Sequence, residues 1–379
     1  MKKALVLGCG LIGKTVALDL AQDYDVTVMD PYAEALAAID NPKIKKLQKS
    51  AGDSAALAEA AKDADIICGL LPSFLEASVQ KQIVEMGKKY VSPSGFLHCD
   101  GLDALAKKSG TVAVFDFGIA PGMSNFLVAK GAAMLEDLDF GCIYVGGIPD
   151  KLDPPFNYRT VFCLEDTIGE YCMPACYVKD NKLTEAPALS GLEEIEFQGL
   201  GKMEAFFTDG LRSAAVNMKG KFVAEKTIRW PGYVDTINVL KAAGCFNKEP
   251  ITVDGQQVVP LKVTTELLRP LWKLCPENGD RDLTVMRIVA KGPKEGKYVT
   301  YTWELIDKFD DKTMLHSMAR TTGYPCAATA RAVEKGIISE PGFHAPETLA
   351  NNQKFYDFII SEIAKHGVVF KMSTLIEER

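Results

Sequence analysis

Between Lys2 and Tyr32 the chain reads KKALVLGCGLIGKTVALDLAQDYDVTVMDPY, and no other stretch constrains the fold as tightly. Ala4 to Leu7 form a short continuous apolar run, as in a parallel strand covered on both faces. Gly8, Gly10 and Gly13 follow in G-x-G-x-x-G spacing. Leu11, Ile12, Val16, Leu18 and Leu20 then supply a helical stripe before a second strand, DVTVMD. In such a strand–turn–helix the first glycine permits the tight turn, the second lets a diphosphate approach the backbone, and the third brings helix against strand. The helix N-terminus then faces the negative charge. Gly8, Gly10, Leu11, Ile12 and Gly13 are therefore candidate dinucleotide contacts. Asp30 closes the second strand, where an acid accepts hydrogen bonds from the ribose hydroxyls and repels a 2′-phosphate. No arginine follows it directly, so the expected cofactor is NAD.

Strands and helices continue to alternate to about residue 118, which implies a doubly wound parallel sheet. Ligands of such sheets sit beyond the carboxyl ends of the strands. Asp53 is thus a candidate for the adenine edge, Leu71 and Pro72 for the nicotinamide half, and Ser94 and His98 for the same neighbourhood. The last strand, VAVFDFG, runs into GIAPG and an apolar helix. Gly118, Pro121 and Gly122 make a turn expected to lie beside the nicotinamide, with Asn125 and Ser124 at the helix start.

After residue 137 the texture changes to short β-like segments separated by turn residues, with helices interspersed. The fold class is α/β: a Rossmann doubly wound parallel sheet plus an α+β domain with a mixed, largely antiparallel sheet. The expected division is 1–120, 121–315 and 316–379, the last a helical segment packing back on the first domain.

A net charge of −7 and scattered basic residues argue against a nucleic-acid surface. No run approaches eighteen apolar residues, and glycines interrupt the N-terminus at once, so no membrane partner and a cytoplasmic location are expected. Ten cysteines contain one close pair, Cys172 and Cys176, with no second pair or nearby histidine, so no metal site is expected.

DFGIAPGMSN, YVGGIP, MEAFFTDGLRS, TIRWPGY and SMARTTGYP, in this order behind the glycine fingerprint, resemble the saccharopine dehydrogenase-like superfamily, most closely its lysine 6-dehydrogenase branch. The resemblance spans nearly the whole chain. It implies NAD-dependent oxidative deamination of the lysine ε-amine to an aldehyde that cyclises to a piperideine carboxylate. It also implies a homodimer built on the second domain's sheet. One position departs from that branch: its members often carry histidine where this chain has Tyr233, the candidate for proton transfer there.

That chemistry names residue types. An ammonium of reference pKa about 10.4 must be neutralised before its carbon gives up hydride, and an amino-acid carboxylate needs a cationic anchor. Arg229 and Arg212 are the candidate anchors, with Thr208 beside them. His98, Glu204 and Asp209 are candidates for holding the ammonium or moving its proton. Two alternatives stay open: a saccharopine- or carboxynorspermidine-type reductase, which a second arginine cluster would favour, and an NAD-sensing protein without turnover.

Overall fold

The computed structural model describes residues 1–95, 100–160 and 163–378. The first third alternates: β1 (Lys3–Leu7), α1 (Leu11–Leu20), β2 (Asp25–Met29), α2 (Ala33–Ala37), β3 (Lys45–Leu47), α3 (Ser54–Ala61), β4 (Ile66–Gly69), α4 (Ser73–Glu85), β5 (Tyr90–Val91), α5 (Asp100–Ser109) and β6 (Val112–Val114). Then come α6 (Met123–Ala133), β7 (Phe140–Pro149), α7 (Leu164–Glu170), β8 (Ala175–Lys179), β9 (Lys182–Ala186), β10 (Glu193–Phe197), β11 (Gly201–Phe207), α8 (Ala214–Asn217) and β12 (Phe222–Arg229). The chain continues through α9 (Tyr233–Ala242), β13 (Ile251–Val253), β14 (Gln256–Val258), α10 (Pro260–Trp272), β15 (Asp282–Lys294) and β16 (Lys297–Lys308). It closes with α11 (Ser317–Glu334), β17 (Gly342–His344), α12 (Gln353–Ala364) and β18 (Lys371–Glu377).

Among the described residues the first sheet runs β3-β2-β1-β4-β5-β6-β17, with every pairing parallel. Strand order reverses between β1 and β4, and that switch point opens a crevice at their carboxyl ends. The second sheet runs β10-β11-β12-β7-β15-β16-β18, with β8 and β9 branching from β12; β12 and β7 are parallel and the remaining pairs antiparallel.

One apolar core joins the two sheets. Val6, Val16, Phe117, Phe126, Trp303 and Phe355 belong to a single buried cluster, and α11 is buried from Ser317 to Val333. Small residues let α11 lie close to α1: a β-carbon on Gly323 would sit 3.0 Å from the Thr15 methyl. Both ends of α11 are pinned. Asp282 of β15 accepts the Ser317 and Met318 N–H groups, each at 2.9 Å, satisfying donors that a helix start leaves orphaned. At the other end Arg331 pairs with Asp19 and Asp23 of the α1 region.

Three sequence expectations are corrected. The region after 316 is not wholly helical: β17 adds a strand to the first sheet and β18 adds one to the second. Of the β-like segments after residue 137, ITVDGQQVVPLKVT ends in a helix and not a strand: LKVT belongs to α10, because Pro260 starts a helix at its first position, where no N–H is needed. RTVFCL forms no described strand: Thr160 makes an isolated bridge to Lys273, 161–162 lie outside the described residues, and α7 starts at Leu164.

Candidate active site

A cavity of about 940 Å³ runs from the glycine-rich turn after β1 to the ends of β11 and β12. Its first end is set by backbone geometry. Gly8 has φ +93°, and a side chain there would meet the Leu70 carbonyl oxygen at 2.2 Å. Gly13 packs against the Gly8 carbonyl, whereas a β-carbon on Gly10 would meet nothing within 4 Å. Gly10 caps α1 without a side-chain bond, so the first-turn N–H groups face open space. Asp30 lines the same end, its carboxylate accepting the Cys9 N–H at 2.7 Å and the Tyr32 N–H at 2.8 Å. Open room at Gly10, a free helix start and a fixed acid at the β2 end suit the diphosphate and ribose of a dinucleotide. Ile12, Leu71, Pro72 and Ser94 line the stretch that follows.

The GIAPG turn is the floor between the two ends. The Pro121 oxygen accepts the Gly118 N–H at 3.1 Å, and the Gly118 oxygen accepts the Met123 N–H at 3.0 Å. Gly122, at φ +134°, would place a β-carbon 2.2 Å from the Gly118 oxygen. Gly118 to Pro121 line the cavity; Gly122 and Asn125 do not. Asn125 is buried below, where its Nδ2 donates to the Leu211 oxygen at 2.8 Å and ties α6 to the loop that carries Arg212.

The second end is built on β12. Side chains two apart on a strand share a face, so Glu225, Thr227 and Arg229 all reach the cavity. Arg229 is buried, with Nη1 donating to the Ile228 oxygen at 2.9 Å and Nη2 to the hydroxyls of Tyr171 and Tyr158 at 3.2 and 3.5 Å. Its guanidinium lies 4.5 Å from the Tyr158 ring centre and 5.7 Å from that of Tyr233. Its Nε has no acceptor, and among the described residues no ion pair reaches it. Glu225 is held by the Thr208 hydroxyl at 2.7 Å and the Gly210 N–H at 3.2 Å. Burial pushes its carboxyl up to about 8. Burial also raises the Glu170 carboxyl of α7, against the pull of Arg229 and Arg212. Asp209 and Arg212 face each other across the cavity wall at 3.7 Å.

Other expected site residues serve elsewhere. Asp53 caps α3, accepting the Ala55 and Ala56 N–H groups at 3.0 and 3.1 Å. Glu204 is drawn to the start of α9, where it accepts the Gly232 and Val234 N–H groups at 2.7 and 3.2 Å. Tyr233 stands behind Arg229, its hydroxyl donating to Tyr171 at 2.9 Å. Leu11 and Gly13 flank the nucleotide end without lining it. His98 lies outside the described residues. Sequence reading missed Glu225, Thr227 and Glu170. The first two were detectable as the alternate positions of EKTIR, once Arg229 is taken to face inward.

Residues 4–114 match the family model described as saccharopine dehydrogenase NADP binding domain, and residues 118–368 match the saccharopine dehydrogenase C-terminal domain. The chain is similar to the saccharopine dehydrogenase [NADP(+), L-glutamate-forming] of Schizosaccharomyces pombe, at 22% identity with 100% of both chains covered. It is similar to the enzyme of the same name from Pyricularia oryzae, at 23% identity with 98% of both covered. Its fold matches the apo histidine-tagged saccharopine dehydrogenase (L-Glu forming) from Saccharomyces cerevisiae, with a TM-score of 0.82 at 20% identity, covering 99% of this chain and 100% of the other.

Proposed function

The chain belongs to the saccharopine dehydrogenase family of oxidoreductases, and on that premise we propose that it oxidises the ε-amine of L-lysine with NAD. The products are ammonia and an aldehyde that closes to 1-piperideine-6-carboxylate. The observation that carries this reading is Arg229, a buried guanidinium without an ion-pair partner among the described residues, facing a cavity continuous with the dinucleotide end. Leaving a buried charge uncompensated is strongly destabilising unless a ligand completes it. An α-carboxylate does so through charge-assisted hydrogen bonds.

The charge of the remaining wall favours an amine-rich substrate with one carboxylate. Asp166, Glu170, Asp209 and Glu225 line that half of the cavity, against Arg212 and Arg229. When bound, the nicotinamide nucleotide supplies the hydride acceptor for the substrate carbon. The chain's own part is to anchor the carboxylate on Arg229, to hold the amine among the carboxyls, and to keep the GIAPG floor thin beneath both. Asp30 supports NAD over NADP by repelling a 2′-phosphate, although the relatives above are named for NADP.

A second reading, a saccharopine-type dehydrogenase, is favoured by Arg212. This arginine lines the cavity beside Asp209, 3.7 Å away, where its guanidinium would meet a further carboxylate. We propose a cytoplasmic homodimer through the second sheet, supported by the exposed Leu375 and Ile376 of edge strand β18. The deciding assay follows NADH and ammonia from lysine, and NADH from saccharopine. Lysine turnover with ammonia supports the first reading, and turnover of saccharopine alone supports the second. Nucleotide binding without turnover of any amine retires both.

A further inference from the structure

We propose that Glu225 and Glu170 form an ammonium subsite at the foot of the cavity, and that Glu225 takes the proton a primary ammonium must lose before its carbon is oxidised. The inference rests on the reading of a lysine-type substrate and deepens it.

Glu225 is an unusual wall residue, being buried and lacking an ion-pair partner among the described residues. Its Oε2 accepts from the Thr208 hydroxyl at 2.7 Å and the Gly210 N–H at 3.2 Å, and its Oε1 lies 3.5 Å from the Thr227 hydroxyl. The two threonine hydroxyls are themselves 2.7 Å apart. Thr208 and Thr227 also line the cavity, so the carboxyl and the hydroxyl pair present one connected polar surface to a ligand. Glu170 of α7 acts on Glu225 from outside its strand and opposes its ionisation, while Arg229 acts on it from within the strand and favours it. An arriving ammonium removes that opposition, because it offsets both carboxyls at once.

Strand geometry puts the two ends on one face: Glu225, Thr227 and Arg229 are alternate residues of β12 and all line the cavity. A ligand whose carboxylate binds Arg229 therefore extends past Thr227 toward Glu225.

The step balances without an oxidant. One N–H bond of the ammonium breaks, one O–H bond of the Glu225 carboxyl forms, and the electron pair stays on nitrogen for the oxidation that follows. Buried and near neutrality in its titration, Glu225 has the affinity a general base needs.

Calorimetry of lysine binding to the nucleotide-free protein at pH 7, in phosphate and in Tris, counts the protons released. Wild type should release on the order of one proton per lysine, because the ammonium draws Glu225 into its ionised form. Glu225→Gln should bind lysine, release none, lose about a hundredfold in kcat, and lose the limb of the pH–rate profile near 8. Glu225→Asp keeps the acid and should retain that limb at reduced kcat. Equal proton release and an unchanged pH limb in Glu225→Gln would overturn the role of Glu225 while leaving lysine as substrate. A wild type that neither binds nor oxidises lysine would overturn the substrate reading, and the subsite with it.

Discussion

The Arg229 guanidinium donates to the Tyr171 hydroxyl at 3.2 Å, and Tyr171 in turn accepts from Tyr233 at 2.9 Å. Two aromatic hydroxyls thus orient a cation that, among the described residues, has no ion-pair partner. If that cation reads a substrate carboxylate, Arg229→Met should raise KM for lysine by about a hundredfold, in line with 2–5 kcal/mol for a buried charge pair. KM for a simple alkylamine should barely move. Equal effects on both would show that Arg229 reads no carboxylate.

Asp30→Ala tests cofactor choice. The substitution removes the acid that faces the ribose, so NAD should bind about tenfold more weakly and the disadvantage of NADP should shrink, as read by fluorescence titration of both reduced nucleotides. The Cys9 and Tyr32 N–H groups lose their acceptor as well, so a small fall in melting temperature should accompany the change. An unaltered preference would remove Asp30 from the ribose site.

Two glycines separate binding from folding. Gly10→Ala puts a methyl into open space, so the melting temperature should hold while nucleotide affinity falls at least tenfold. Gly122→Ala should do the reverse first: at φ +134° with a carbonyl 2.2 Å away, it should destabilise the fold by more than about 1 kcal/mol. Denaturation curves and nucleotide titrations on both variants check the contrast.

Stability should carry the mark of Glu225 too. Near pH 4 the carboxyl is neutral in the folded chain and largely so in the unfolded one. Between about 4.5 and 8 the folded chain keeps a proton that the unfolded chain has released, so stability falls as pH rises; above about 8 that slope ends. Glu225→Gln should flatten the melting temperature between pH 5 and 8.5 relative to wild type, by an amount worth at most a few kcal/mol. Parallel curves would mean that Glu225 ionises freely in the fold.

The first sheet is legible in the sequence because parallel strands buried on both faces leave continuous apolar runs, as in Ala4 to Leu7. β17 leaves no such mark: three residues, Gly342 to His344, carry too little pattern to be told from a loop. β18 fails for another reason, since Lys371–Glu377 is exposed along its whole length and has no buried face to impose alternation. Arg229 stood out through the Trp-Pro-Gly turn beside it. Glu204 stands opposite Arg229 across the sheet, yet its carboxylate is taken up by the N–H groups at the start of α9, which spacing along one strand does not reveal. Glu225 leaves no mark of its own, because an acid in a strand pattern is ordinarily a solvated position and this one is buried.

Helix α11 is clamped to the second sheet through Asp282 and to α1 through Arg331, and the chain beyond it supplies β17 to the first sheet. The nucleotide-binding half is therefore not an interchangeable cassette. A graft cut after β6 would leave behind both an edge strand and the beam that sets the distance between Gly10 and Arg229. Exchange of cofactor specificity between relatives should accordingly proceed by point substitution around Asp30, or by transplanting residues 317–344 together with the N-terminal segment, and not by swapping the first third alone.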